Sequence, residues 1–350
     1  MINRTVIRVR VLQQLYAAMM GGFKTPSEVE KEFLASLDAT YDLYFYLLDL
    51  VDAITQLHIE LTEVRKNKYL AKEEDLKPNM RLIQNRLAEA IGSSASINNR
   101  MEKSGLSWRP QETILRNLLK EIVSSQLYQD YLLSENNYES DASFWISALK
   151  SIVFGNTDLD EHLEEVSLYW DNPQSFAEKI EIEDESMMDI EFVEQTVSNL
   201  KGTPFYSAQC NLLSPVQTAK DFVLKSLRRF NPQNNNTIDE VLLPMFKNYE
   251  ERQFGCQLVR LASVKAQEYD SEIEKYCTNW EQERLANMDI LIMRMALTEA
   301  LNCMDVPLQV TLNEYIELAK LYSTTKSASF VNGVLDKLFR DLKKEKRIIK

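Results

Sequence analysis

Glycine and proline are too scarce in this chain for an all-β protein. The 350 residues include 8 Gly and 9 Pro. Hairpin-built sheets need many tight turns, and tight turns draw on those two residues. Apolar residues recur at helical spacing along nearly the whole sequence, with no sustained alternation of period two. The chain is long enough for one large domain or two modest ones with an ample core. It contains no apolar run of about eighteen residues, so no membrane span is expected. Met1-Ile2-Asn3-Arg4 leads into an amphipathic stretch, not into the apolar core of a signal peptide. Cys210, Cys256, Cys277 and Cys303 are scattered without metal-type or redox-type spacing. They read as reduced thiols of a cytoplasmic protein.

Periodicity and breakers predict a helix over 4–20 that stops at Gly21-Gly22, and a long one from Pro26 to about Lys68. Further helices are expected over 79–91, 110–133, 141–154, 157–170, 186–200 and 215–230. The serine-rich stretch 92–105 reads as a loop, 134–141 as a break and 231–236 as a linker. Beyond it, helices are expected over 238–252, 254–280, 282–304, 311–323 and 327–345. Phe144 and Trp170 are 26 residues apart, as are Phe254 and Trp280, at an offset of 110. Either a degenerate duplicated helix pair or chance similarity of amphipathic helices accounts for this echo.

The last seventy residues are the most informative. From Asp289 to Ala300 the charged residues are Asp289, Arg294 and Glu299 alone, which makes this helix central and buried. Thr311-Leu312-Asn313-Glu314 fits a capping box. Leu312, Tyr315, Ile316, Ala319 and Tyr322 then form one stripe, and Val331, Val334, Leu335 and Leu338 another. Gly333 sits mid-helix at a cost of about 1 kcal/mol against alanine, so a close helix–helix contact is expected there.

Net charge is −13, which by itself argues against a polyanionic partner. The charge is unevenly spread. Residues 1–24 hold Arg4, Arg8, Arg10 and Lys24 and no acid, for +4; residues 337–350 hold seven basic and two acidic residues, for +5; the interior is therefore −13 − 9 = −22.

Three motif blocks carry a family resemblance: Leu291-Ile292-Met293-Arg294-Met295-Ala296-Leu297-Thr298-Glu299; Val306-Pro307 with Val310-Thr311-Leu312-Asn313-Glu314-Tyr315-Ile316-Glu317-Leu318-Ala319-Lys320; and Phe330-Val331-Asn332-Gly333-Val334-Leu335-Asp336. In order, spacing and wording they resemble the C-terminal half of NusB, the bacterial transcription antitermination factor. The N-terminal run from Arg4 to Gln13-Gln14-Leu15-Tyr16 is similar to the family's arginine-rich opening helix, although Thr5 and Val6 stand where relatives often carry arginine. The resemblance covers about 1–20 and 240–340. It implies an all-α fold, a NusB-like pair of small helical bundles, with a large helical insertion after the first helix. Residues 1–24 and 240–280 would form the split N-terminal bundle, 25–239 the insertion, and 281–350 the C-terminal bundle with a basic tail.

The resemblance also implies a function: an adaptor that binds a boxA-type single-stranded RNA with the NusE-type small-subunit ribosomal protein in a transcription elongation complex. Self-association into a homodimer is a further state it implies. The candidate RNA-binding residues are Arg4, Arg8, Arg10, Gln13, Tyr16, Lys326 and Ser327. Arg4 and Arg8 share a helix face, and their charge opposes the macrodipole of the first turn, so an anion there would relieve a cost. Tyr16 is a stacking platform or, on its periodicity, a packed side chain; Ser327 is an RNA contact or a helix cap. Lys343, Lys344, Lys346, Arg347 and Lys350 add attraction for phosphate or only solubility. A basic protein partner would be complemented by the acidic interior.

Catalysis has little to work with. His58 and His162 lie on different predicted helices, and no nucleophile–base pair, phosphate-cradling glycine loop or zinc spacing is present. No enzyme activity and no cofactor are expected. The alternative to an RNA adaptor is a protein-only scaffold of the same fold that has lost RNA recognition and uses the insertion as its binding surface.

Overall fold

The computed structural model describes residues 2–21, 25–67, 76, 78–170, 214–234, 236–277, 287–324 and 326–350. These contain fifteen α-helices and no strand of a sheet; one isolated parallel bridge joins Ile2 to Phe246. None of these helices is long and apolar enough to cross a membrane. The helices are α1 Arg4–Met20, α2 Pro26–Lys66, α3 Arg86–Gly92, α4 Ala95–Ser104, α5 Glu112–Ser124, α6 Gln126–Leu133, α7 Tyr138–Ala148, α8 Thr157–Val166, α9 Pro215–Arg229, α10 Ile238–Val241, α11 Tyr249–Val264, α12 Ala266–Glu274, α13 Asn287–Asn302, α14 Leu308–Tyr322 and α15 Ser327–Lys344.

The chain divides into two compact units. Met1–Asp38 and Met245–Lys350 belong to the first, Ala39–Trp170 and Val216–Pro244 to the second. The units change over at Asp38/Ala39 and at Pro244/Met245, and one apolar core in the first unit runs from Ile2 to Leu37 and from Phe254 to Ile348.

In the first unit α1 is central. Asn3 caps it by accepting from the Val6 amide at 2.9 Å, and ten consecutive residues from Val6 to Leu15 are buried. A helix buried on every side must have neighbours all round, and here they include α11 and α13. As expected from its composition, α13 is buried from Leu291 to Met293 and from Met295 to Ala300. The closest approach is at Gly255 of α11: a Cβ there would lie 2.5 Å from Phe33 Cζ and 2.9 Å from Ile7 Cγ2. Gly255→Ala is expected to overpack this crossing and cost about 1–3 kcal/mol, read as a lower midpoint in urea unfolding. Gly333 is different. It is exposed with open space around it, so the expected helix–helix contact is absent and nothing in the structure explains this glycine.

The second unit is organised by the aromatic segment of α2. Tyr44 shares a hydrogen bond with Ser226 at 2.6 Å and accepts from the Leu243 amide. Tyr46 stacks on Trp108 with ring centroids 3.9 Å apart, and the Trp108 indole donates to the Tyr46 carbonyl at 2.8 Å. His162 is buried, with Nε2 2.9 Å from the Tyr46 hydroxyl, and its pKa is lowered by burial. It packs within the core.

One carboxyl in this unit is under tension. Burial and the Asp52 carboxylate push Asp49 up to about 6. A folded pKa above the unfolded value of about 4 means that the folded state holds the proton more tightly. Asp49 therefore costs stability as pH rises from about 4 to 6, and the cost is complete above 6. Asp49→Asn is expected to raise Tm at pH 7.5, with the gain vanishing near pH 4.

Several element boundaries differ from expectation. The stretch read as a loop, 92–105, contains α4: Ser94 Oγ accepts from the Ile97 amide and Gly105, at φ 70°, ends the helix. Ser93 and Ser94 are caps. The helix expected over 110–133 breaks at Ser125, whose hydroxyl caps α6. The one expected over 254–280 breaks at Lys265. The helix over 238–252 shrinks to α10; residues 242–248 are irregular, and the Ile2 amide donates to the Met245 carbonyl. The helix over 79–91 starts only at Arg86, behind Asn85, which accepts from the Leu87 and Ala88 amides. The predicted helix over 186–200, Cys210 and Trp280 lie outside the described residues.

Candidate nucleic-acid interface

Most of the arginine charge of α1 is spent inside the first unit. Arg8 is buried and grips Glu299 of α13 with two 2.8 Å hydrogen bonds, from Nε and Nη2. Its Nη1 donates to Glu314 of α14 at 3.0 Å. Glu299 is completely buried and also accepts from Thr311 Oγ1 and the Tyr315 hydroxyl, each at 2.9 Å. Four donors thus converge on one carboxylate, which is what a charge removed from water requires. Arg4 pairs with Glu251 at 3.3 Å and Asp305 at 2.5 Å, Thr5 donates to Glu314, and both guanidiniums lie over the Phe254 ring.

The anion expected to relieve the first turn of α1 is therefore this set of internal carboxylates. Burial pulls the Arg8 pKa down, but the Glu299 hydrogen bonds and the surrounding charge more than offset it, so its pKa is raised overall. The same cluster raises neighbouring acids. Burial, then Glu299, lifts the Tyr315 phenol well above its usual value and pushes the Cys303 thiol up to about 11.

The capping box expected at Thr311 does not form. α14 starts at Leu308 behind Pro307. Thr311 and Glu314 fall inside the helix, where their side chains face Glu299 and Arg8.

Arg10 is also buried, its Nη1 donating to Gln13 Oε1 at 2.9 Å; Gln13 Nε2 finds no acceptor among the described residues. Tyr16 is half-buried against the core. Lys326 is exposed just before α15. Ser327 is buried and does not cap α15. Its hydroxyl donates to Asp289 at 2.8 Å and accepts from Ser323 at 3.0 Å, which ties the Lys326 loop to the start of α13. The structure thus gathers Arg4 and Arg8 on one carboxylate cluster and ties Ser327 to Asp289, with Lys326 exposed beside it.

The basic tail is folded back. Ile348 is buried, Arg347 pairs with Glu272 at 3.2 Å, and Lys350 Nζ caps α13 by donating to the carbonyls of Glu299 and Cys303. The residues that sequence reasoning missed are Glu299, Glu314, Thr311 and Tyr315. The available signal was an acid alone in an otherwise apolar helix.

In the first unit a buried arginine–carboxylate cluster thus pins the first helix to two C-terminal helices. A family model described as the NusB family matches residues 217–340. The chain is similar to the transcription antitermination protein NusB of Salinibacter ruber, 36% identical over 143 residues, which span 39% of this chain and 89% of that relative. It is 33% identical to NusB of Alkaliphilus oremlandii over 122 residues, 34% of this chain and 88% of the relative. It is 43% identical to NusB of Syntrophotalea carbinolica over 89 residues, 25% of this chain and 57% of the relative. No solved structure matches. The chain belongs to the NusB family, as a long member.

Proposed function

We propose that the chain is an adaptor in transcription antitermination, binding a boxA-type single-stranded RNA together with the NusE-type small-subunit ribosomal protein in a transcription elongation complex. The observation that carries this reading is its match to nearly the whole length of curated antitermination proteins. In this reading the chain contributes no bond-making chemistry. It holds surfaces in place.

Lys326 and the accessible parts of Tyr16 and Arg4 are the proposed RNA contacts, since single strands are held by phosphate charge and by stacking on aromatic side chains. Arg8, Arg10, Gln13 and Ser327 are buried, so they act from behind the surface by fixing α1 and the Lys326 loop. Lys326→Ala is expected to weaken binding of labelled boxA RNA several-fold, with the salt slope falling by about one and Tm unchanged. Unaltered affinity and slope would remove Lys326 from the interface.

The second reading, a protein-only scaffold, is favoured by one observation: Arg8 and Arg10 are buried, so little of the α1 charge faces outward. Binding of one protein partner that neither needs nor recruits RNA would support it.

A further inference from the structure

We propose that Asp289, acting from beneath the surface, is the positioning residue for the RNA contact at Lys326, a role that rests on the RNA-binding reading above.

Lys326 is exposed at the cap position of α15, and no side chain caps the helix there. Its backbone turn is closed by the Ser327 amide, which donates to the Thr324 carbonyl at 2.9 Å. Hydroxyls on either side of Lys326 meet at one oxygen. Ser327 Oγ lies 3.0 Å from Ser323 Oγ and 2.8 Å from Thr324 Oγ1, and it donates to Asp289 Oδ2 at 2.8 Å. A hydroxyl has one proton to give and two lone pairs to offer. With that proton spent on Asp289, Ser327 accepts from both Ser323 and Thr324. One carboxylate thus sets the direction of three hydroxyls, two before Lys326 and one directly after it.

A purely structural role accounts poorly for a carboxylate in this place. Asp289 is only 5% exposed, and burial pushes its pKa up against the pull of the Ser323 and Ser327 hydroxyls. Its Oδ1 is buried without a hydrogen-bond partner. An aspartate in the first turn of a helix ordinarily faces the free amides there; among the described residues none donates to this one. Glu299, by contrast, is met by the Arg8 guanidinium and two hydroxyls. A buried carboxylate left this far from satisfied costs stability, and such costs collect where function needs the group. The turn that Asp289 holds is the one that presents Lys326.

The test is titration of a labelled boxA-type single-stranded RNA with the full chain and with Asp289→Leu, Asp289→Asn, Lys326→Ala and the combination Asp289→Leu/Lys326→Ala. Asp289→Leu removes a negative charge beside a phosphate contact, so charge alone would tighten binding. The positioning role has the opposite sign: binding weakens several-fold, by no more than in Lys326→Ala. Asp289→Asn keeps an acceptor for Ser327 and should bind like the parent. With Lys326 already replaced, Asp289→Leu should change RNA affinity no further, while its shift in Tm should be the same in both backgrounds. Ser327→Ala cuts the tether without changing charge; it should weaken binding likewise, and it decides the question if Asp289→Leu does not fold. Unchanged or tighter binding by Asp289→Leu or Ser327→Ala, or an equal loss in the Lys326→Ala background, would overturn the proposal. A parent chain that binds no RNA would overturn the RNA-binding reading itself.

Discussion

Glu299→Ala is expected to destabilise the first unit by about 3–5 kcal/mol, because it strands the buried Arg8 guanidinium without its main counter-charge. Arg8 keeps Glu314, on the partly exposed side of the cluster, and the hydroxyls of Thr311 and Tyr315 lose their acceptor. Glu299→Gln should cost less, since the amide keeps the shape and one acceptor oxygen but not the charge. The strongest check is the double variant Arg8→Leu/Glu299→Leu. Removing both charges removes both desolvation penalties, so part of the stability lost in Glu299→Ala should return. Urea unfolding of the three variants separates the cases. A double variant no more stable than Glu299→Ala would mean that the stranded Arg8 charge is not what destabilises that variant. Hydrogen exchange should show the earliest loss of protection in α1, α13 and α14, where the cluster's side chains originate.

Trp108→Ala is the counterpart in the second unit, with an expected cost of about 3–5 kcal/mol. The side chain is buried, its indole N–H satisfies the Tyr46 carbonyl, and its ring covers Tyr46 face to face. Alanine removes the stack, orphans the carbonyl and opens a cavity beside His162, whose ring centroid is 5.4 Å from that of Trp108. Trp108→Phe should recover much of the packing while leaving the carbonyl without its donor. Its loss should therefore be intermediate, close to that of one buried hydrogen bond, about 1–3 kcal/mol. If Trp108→Phe and Trp108→Ala unfold at the same urea concentration, the ring stack is not what holds this part of the core.

Much of the fold was legible because the helices are long and their apolar stripes are pure. The C-terminal motif blocks also fixed the family, and the composition of α13 fixed its central place. The misread elements share a cause. Ser, Asn and Thr satisfy backbone groups at helix ends as readily as they do in loops. Ser94 and Ser125 could therefore be read either way, and only the neighbouring packing decides. Thr311 and Glu314 matched a capping box by spacing, yet both are drawn to partners more than 290 residues earlier or on a different helix. Arg8 shows the same limit. Periodicity puts it on a face with Arg4, but it cannot say that the face looks at a carboxylate. The one local hint was Glu299, an acid with no reason to lie in an apolar helix unless a cation meets it.

The central claim is an adaptor that holds RNA and protein together. The direct measurement is fluorescence anisotropy of a labelled boxA-type RNA titrated with the full chain, with and without the NusE-type protein, at two salt concentrations. The account predicts salt-sensitive binding, as phosphate contacts release counterions, and tighter binding when the protein partner is present. No binding in any combination by a folded, helical sample would contradict it.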